Sequence, residues 1–397
     1  MKRIVIVGAG VSGLTLALNV KEDNNEVIIL EKNKEAGKKI LISGNGRCNF
    51  LNDDFSINHY HSLEDNNLNK LINEKNKDLI LDFIKKLGIE YKIKNGYYYP
   101  FTNKSSTIRD SLISEIKQKN IKIVYDYKVE TIEKKEKYYI INNVITCDYL
   151  AICTGSKSYE ITGSTGDGYN LLSTLNHSVT NLYPSLVQIT TKGKFLKKLH
   201  GVRTDAIVSI WNDKDKIKEE YGELQLTDYG VSGICVFNLS RYVHLYKNTL
   251  IKINFVPFIK GDVIDYLDSK NINLSIYDLL VRIMNEKIVK VILELLNIEM
   301  NTLYKNLSEI ERNELKEYLT SFTLEVTGTK SFENSQVTLG GIKLSEVNLD
   351  SFESKINDRL YILGELLDVD GDCGGYNISF AILSALLAAK SIRGKND

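Results

Sequence analysis

Glycines at 8, 10 and 13 and a glutamate at 31 are the residues whose types and spacing most directly imply chemistry in this chain. In Gly8-Ala9-Gly10-Val11-Ser12-Gly13 the first glycine permits a tight turn and the second lets a pyrophosphate reach the backbone. The third, Gly13, lets a helix pack closely on a strand. Val11 and Ser12 open that helix, whose unpaired N–H groups and partial positive charge suit a phosphate. Glu31, with Lys32 beside it, stands eighteen residues after Gly13. It is placed to accept hydrogen bonds from adenosine ribose hydroxyls, and its charge disfavours a 2′-phosphate. A second set lies in residues 37–50, where Gly37, Gly44 and Gly46 are interleaved with Lys38, Lys39 and Arg47. It suits a backbone lying against a phosphate-bearing ligand, with Arg47 as a fork donor, or else a basic surface loop.

These residues need a frame. Arg3–Val7 is a β-branched run of the kind buried on both faces of a parallel sheet, and Val27–Leu30 reads as a second such strand. Between them Leu14, Ala17 and Leu18 fall at helical spacing. Residues 66–87 carry a helical pattern with Gly88 as C-cap, and 105–119 another. Residues 121–126, 128–134, 137–141 and 144–153 read as four strands, the third and fourth joined at Asn142-Asn143, which end at Thr154-Gly155. Glycines at 163, 166 and 168 precede a helix through Leu175, as caps or as ligand contacts. Residues 187–257 look like successive strands with a charged hairpin tip at 212–220, and 262–320 carry only helical patterns. Strand signals return at 323–327 and at 360–363. Gly364, Glu365 and Asp368 follow, and Gly374-Gly375-Tyr376-Asn377-Ile378 opens a long apolar helix. The N–H groups at such a start can stabilise negative charge on a bound ligand, and acidic side chains before it suit sugar hydroxyls.

Composition bounds the partners. The 397 residues suffice for two or three domains, and 51 basic against 51 acidic residues leave no global field toward nucleic acid or membrane. Five cysteines without C-x-x-C spacing argue against a disulfide framework or zinc site and for a reducing compartment. The strand at the N-terminus reads as no signal peptide, and Ile378–Ala389 is too short to span a bilayer. A cytoplasmic protein without metal or membrane is expected.

With these motifs in view, the chain resembles the BaiN/RdsA-type NAD(P)/FAD-dependent oxidoreductases, nearly end to end. The resemblance rests on residues 8–13, 38–49, 154–169, 183–186, 222–233, 353–356 and 364–377. The β-meander ending in Thr-Gly is likewise similar to flavin domains of the glutathione reductase type. What this implies is an α/β fold, a Rossmann-like FAD-binding domain with a β-meander, interrupted by an inserted β-barrel-like plus helical domain. The expected boundaries are 1–187 with 335–397, and 188–334, the latter mainly β over 188–260 and 321–334 and helical over 261–320. FAD would be held by the residues above together with Cys48, Val129, Thr154 and Gly155, with NADH or NADPH as hydride donor. The sequence departs from the family pattern at Asp228, Ile234 and Leu51, where His, Pro and Thr are usual.

The resemblance implies reduction of a C=C bond in a steroid-like enone or in a ribosomal RNA uridine, the latter slightly preferred. Alternatives are a flavin oxidoreductase on another small molecule such as an amine, or a redox partner without RNA binding. Such a reduction needs an acid that is protonated at neutral pH, such as a Cys thiol of pKa about 8.5 or a Tyr of about 10. Cys48 is the first candidate and Cys373 the second, with Tyr229 and Tyr376 behind them, although most single cysteines are inert and buried. For RNA, Lys192, Lys194, Lys197, Lys198, His200 and Arg203 form the densest basic stretch, which is otherwise a solvated face.

Overall fold

The computed structural model describes residues 2–64, 68–270 and 272–395, and they form two compact units. The first comprises residues up to Tyr183 and those from Gln336, the second Pro184–Ser335.

In the first unit, β1 (Lys2–Val7) runs through the glycine turn into α1 (Val11–Val20) and returns as β2 (Asn25–Leu30). Parallel pairing adds β3 (Lys122–Val124) beyond β2, and β4 (Tyr149–Ile152) then β5 (Leu360–Ile362) on the other side of β1. Two short antiparallel strands complete a seven-stranded sheet. The chain goes from β1 to β2 and β3 on one side and comes back to β4 on the other, so the crevice at the carboxyl end of β1 is the topological switch point where doubly wound sheets bind ligands. The last helix, α2 (Tyr376–Gly394), packs against α1. The strand interiors Ile4–Ile6, Ile29 and Leu150–Ile152 are almost wholly buried, as the continuous apolar runs require.

Two readings of this unit need correction. The meander has three strands, Ile132–Lys134, Tyr139–Ile141 and Ile145–Cys147. The segment read as its first strand instead joins the sheet edge as β3. The segment read as its fourth breaks at Asp148, whose N–H and carboxylate are taken by the backbone of Arg3 at 2.9 and 2.8 Å. Asn142 and Asn143 both take left-handed φ (47° and 57°), the geometry of the two-residue hairpin turn expected there. The pattern over 66–87 is not one helix either. Asn73 caps a helix Glu74–Lys86 through a 3.0 Å bond to Asn76 N–H, after a separate short turn at Leu68–Lys70; residues 66 and 67 lie outside the described residues.

The second unit is a closed six-stranded barrel in the order Ile189–Thr191, Gly230–Ser232, Asp215–Leu226, Arg203–Asn212, Thr249–Asn254, Phe322–Thr329. Alternate residues Val208, Ile210, Leu224, Ile251, Ile253 and Leu324 fill it. Helices occupy 262–320 as the periodicity predicts. Within the stretch read as all strand, Ile234–Ser240 and Tyr242–Leu245 are helical. The hairpin tip is only Asp213-Lys214, and the rest of the charge run extends up the second strand. Among the described residues no helix is long and apolar enough to cross a membrane.

Candidate functional site

The three glycines of the first turn divide by what a side chain would meet. Gly8 has φ +105°, and a Cβ there would stand 2.5 Å from the carbonyl oxygen of Cys153; at Gly13 it would stand 2.0 Å from that of Gly8. Both are demanded by the protein's own packing. A Cβ at Gly10 would meet nothing within 4 Å, so the space over this residue is open. Val11 and Ser12 follow it at the start of α1, whose first turn holds no acidic residue and no side-chain cap. Orphan N–H groups and the positive helix end therefore face that space.

Glu31 is buried at 6 % exposure. Its Oε2 accepts the Ala9 N–H at 2.8 Å, and its Oε1 accepts the N–H and side-chain amide of Asn33 at 2.8 and 2.7 Å. The carboxylate is thereby fixed against the glycine turn with acceptor capacity left. Lys32 instead pairs with Asp167 and the Thr165 hydroxyl, both at 2.5 Å. Lys39 donates to Glu365 at 2.6 Å and to Ser158 at 2.8 Å, while the Ser156 hydroxyl donates to Glu365 at 2.7 Å. Neither Ser156 nor Ser158 stood out in the sequence. Thr154 and Gly155 follow β4. The glycine of residue 168 lets a helix approach, since a Cβ there would lie 2.1 Å from the Thr154 hydroxyl oxygen. Val129 lies in the core.

The loop after Ile42 takes left-handed φ at Gly44, Asn45, Gly46 and Cys48. Arg47 is exposed on it. Burial raises the Tyr99 phenol, and the Arg47 charge beside it pulls it back. Cys48 is wholly buried; burial pushes its thiol up to about 11 against a smaller opposing hydrogen bond with Ser43. Cys373 is half-buried just before α2. The two glycine segments meet. The Asn52 amide donates to Gly374 O at 3.3 Å, and a Cβ at Gly375 would stand 2.6 Å from Leu51 N and 2.9 Å from Asn49 Oδ1. Asn377 bonds both the N–H and the carbonyl of Gly371 at 2.8 Å, next to Tyr376 and Ile378 at the helix start. Gly364 packs on α1, a Cβ there falling 3.1 Å from the Ser12 hydroxyl oxygen.

Among the side-chain polar atoms of this unit buried without partners are Asp368 Oδ1, the Tyr169 hydroxyl and Asn49 Oδ1, with the Thr15 and Ser56 hydroxyls besides. Burial pushes the Asp368 carboxyl up to about 6, although its other oxygen accepts Ser62 Oγ and Leu63 N–H at 3.0 Å. Burial, then the nearby Glu365 and Asp368, raise the Tyr169 phenol well above its usual range. Orphaned acceptors and hydroxyls of this kind ask for a ligand rich in hydroxyl and carbonyl groups. With the open backbone at Gly10 and the fixed carboxylate of Glu31, they fit a dinucleotide such as FAD.

A cluster that no motif marked lies at the same end of α2. Asp372 accepts His59 Nδ1 on one oxygen and His61 Nε2 on the other, both at 3.0 Å, and His59 Nε2 meets Asp54 at 2.9 Å. Burial would raise Asp372, but the two histidines outweigh it and hold the carboxyl at about 2. Among the described residues no group of three His, Cys, Asp or Glu could hold a metal ion.

In the second unit most of the basic stretch lies beside carboxylates at the surface. Lys192 pairs with Glu325, Lys198 with Glu294 at 2.6 Å, Arg203 with Glu223 at 2.6 Å, and His200 lies 3.6 Å from Asp228. Lys194 and Lys197 have no ion-pair partner among the described residues. Tyr229 carries the Lys330 ammonium 3.9 Å over its ring. Ile234 is the first residue of its helix, the position proline favours, so that departure from the family pattern leaves the local backbone intact.

A sequence model of the family described as HI0933-like protein Rossmann domain matches residues 2–391. A 3-dehydro-bile acid delta(4,6)-reductase of Clostridium scindens is 32 % identical, the alignment covering 98 % of this chain and 99 % of that protein. A ribosomal RNA dihydrouridine synthase of Haemophilus influenzae is 27 % identical, with 98 % of both chains covered. Among solved structures, the 3-ketosteroid-delta4-(5alpha)-dehydrogenase of Rhodococcus jostii aligns over 99 % of this chain and 97 % of its own, with a TM-score of 0.52 and 10 % identity. That likeness establishes the fold alone.

Proposed function

Because the chain belongs to the HI0933-like family of Rossmann-domain flavoenzymes, we propose that it is an FAD-dependent reductase of a C=C bond conjugated to a carbonyl in a small enone, with NADH or NADPH as donor. The observation that carries the cofactor part is Gly10, the one glycine of its turn that the protein's own packing does not require, beside a buried carboxylate that is already oriented. FAD bound there would supply the hydride chemistry. The chain's own part is to bind, orient and protonate. Glu31 accepts ribose hydroxyls, Gly10 to Ser12 meet the pyrophosphate, and Asp368, Tyr169 and Asn49 offer polar atoms to the remainder. Lys39, held by Glu365 and Ser158, orients Glu365 rather than lying free.

Reduction adds a hydride at the β carbon and a proton at the α carbon. We assign the proton to the Cys373 thiol, which is half-buried at the start of α2. Cys48, protonated but without exposed surface, is the alternative. The uracil ring offers the same conjugated bond, and relatives named as ribosomal RNA dihydrouridine synthases keep RNA as the second reading. Glu325, Glu294 and Glu223 beside Lys192, Lys198 and Arg203 lower the positive field of this stretch, which favours the small molecule over a polyanion. The test is denaturation of the purified yellow protein followed by anaerobic titration of the intact one. FAD rather than FMN should be released, and NADH or NADPH should bleach the bound flavin. Bleaching by dithionite but by neither nicotinamide would remove the donor from the proposal.

A further inference from the structure

We propose that His59 is a positioning residue for the start of α2: as an imidazolium clamped between Asp54 and Asp372 and stacked on Tyr376, it fixes the loop that presents this helix end to the flavin. The inference rests on the FAD reading above and adds to it a residue outside every glycine motif.

The geometry sets the charge of the ring. Its Nδ1 lies 3.0 Å from Asp372 and its Nε2 2.9 Å from Asp54. A neutral imidazole carries one N–H and one lone pair. The lone pair would face a carboxylate oxygen at hydrogen-bond distance, which is repulsive, so both nitrogens must carry protons. The hydrogen bond to Asp372 raises the affinity of His59 for its second proton; burial opposes this and the bond to Asp54 reinforces it.

The clamp reaches α2 by three routes. The His59 ring is stacked on Tyr376, centroids 4.6 Å apart and planes 14° from parallel. The His59 carbonyl accepts the Asp372 N–H at 3.0 Å. Tyr60 and His61 form a two-residue ladder with Asp370 and Gly371, and the Tyr60 hydroxyl reaches Ser379 at 2.8 Å. The other titratable groups around the pair are His61, which shares Asp372, Lys77 and Glu74 from the helix beside Asp54, and Tyr97 next to Tyr376.

The direction with pH follows. His59 binds its second proton more tightly folded than unfolded, so the clamp is complete below about pH 6.5. It is lost as pH rises through the folded-state value. Deprotonation turns a lone pair toward Asp54 and opens that arm, leaving Asp372 as the ring's one carboxylate partner. FAD affinity should therefore fall on the alkaline side. Asp54→Asn should move that fall to lower pH without removing the histidine, because a neutral amide no longer holds the second proton.

The test uses the full chain with isotopically labelled histidine, His59→Gln identifying its ring among the five histidines. Ring titration by NMR and the FAD dissociation constant are followed together across pH. The ring should titrate above the ordinary value in the wild type and about one unit lower in Asp54→Asn. FAD affinity should fall by about tenfold across the same transition in each, and His59→Gln should bind weakly throughout. A ring that titrates as stated over FAD affinity that is flat with pH overturns the inference alone, as does a midpoint unmoved by Asp54→Asn. Absence of FAD binding by the wild type at every pH overturns the FAD reading and the inference with it.

Discussion

Replacing Gly10 by valine separates the ligand's needs from the fold's. Gly10 has φ −79° and ψ −174°, extended backbone that valine adopts readily, and its Cβ would meet nothing within 4 Å. Loss of glycine as N-cap costs only a fraction of about 1 kcal/mol. The apo protein should therefore keep its Tm to within a few degrees. The same side chain fills the approach to the backbone where a pyrophosphate would bond the first N–H groups of α1. Two charge-assisted bonds at about 1.5–3 kcal/mol each amount to roughly 3 kcal/mol or more, which is at least about a hundredfold in Kd. Gly13→Ala is the control, since its Cβ would stand 2.0 Å from a carbonyl oxygen and must damage the fold itself. The assay is calorimetric Tm of the apo forms with FAD titration of each. Wild-type FAD affinity in a well-folded Gly10→Val protein would refute the assignment of this turn.

Cys373→Ser should keep FAD and its reduction by nicotinamide while losing product formation by roughly 10²–10⁴-fold, the usual range for one general acid; Cys48→Ala should retain turnover if its burial excludes it, and the opposite pattern returns the role to Cys48. Ribosomal RNA fragments should bind with a log–log salt slope no steeper than about −2, because only Lys194 and Lys197 of the basic stretch lack partners, and a markedly steeper slope would contradict this. Asp372, held at about 2 where an unfolded aspartate titrates near 3.9, contributes stability above that value which is lost as pH falls toward 2. Acid unfolding monitored by circular dichroism should show Asp372→Asn missing on the order of 2 kcal/mol of that pH-dependent stability.

Much of the site was legible because its determinants are local. Gly8 and Gly13 fall within one strand–helix–strand unit, so spacing alone carries their packing roles, and Asn142-Asn143 announces its turn by residue type. What escaped depends on partners far along the chain. Lys32 and Lys39 are expected at the cofactor, but their ion pairs with Asp167 and Glu365, 135 and 326 residues away, leave no local trace. His59 lies 313 residues from Asp372 and carries no local pattern. The basic stretch was counted by its own charges, while strand pairing sets Arg203 across from Gln225 and close to Glu223. The segment 121–126 is as strand-like as its neighbours, and only the exposed edge of β2 draws it out of the meander. Residues 234–245 follow strand after strand without an apolar period long enough to betray two short helices.

The most direct test of the central claim follows the hydrogen itself. The flavin-loaded protein is incubated anaerobically with deuterated nicotinamide and, separately, with a 3-keto-4-ene steroid or a ribosomal RNA fragment, and products are read by mass spectrometry. The expected steroid product has gained one donor-derived deuterium at the β carbon and one solvent proton at the α carbon, with RNA left unmodified. Dihydrouridine in the RNA with the steroid untouched would contradict it.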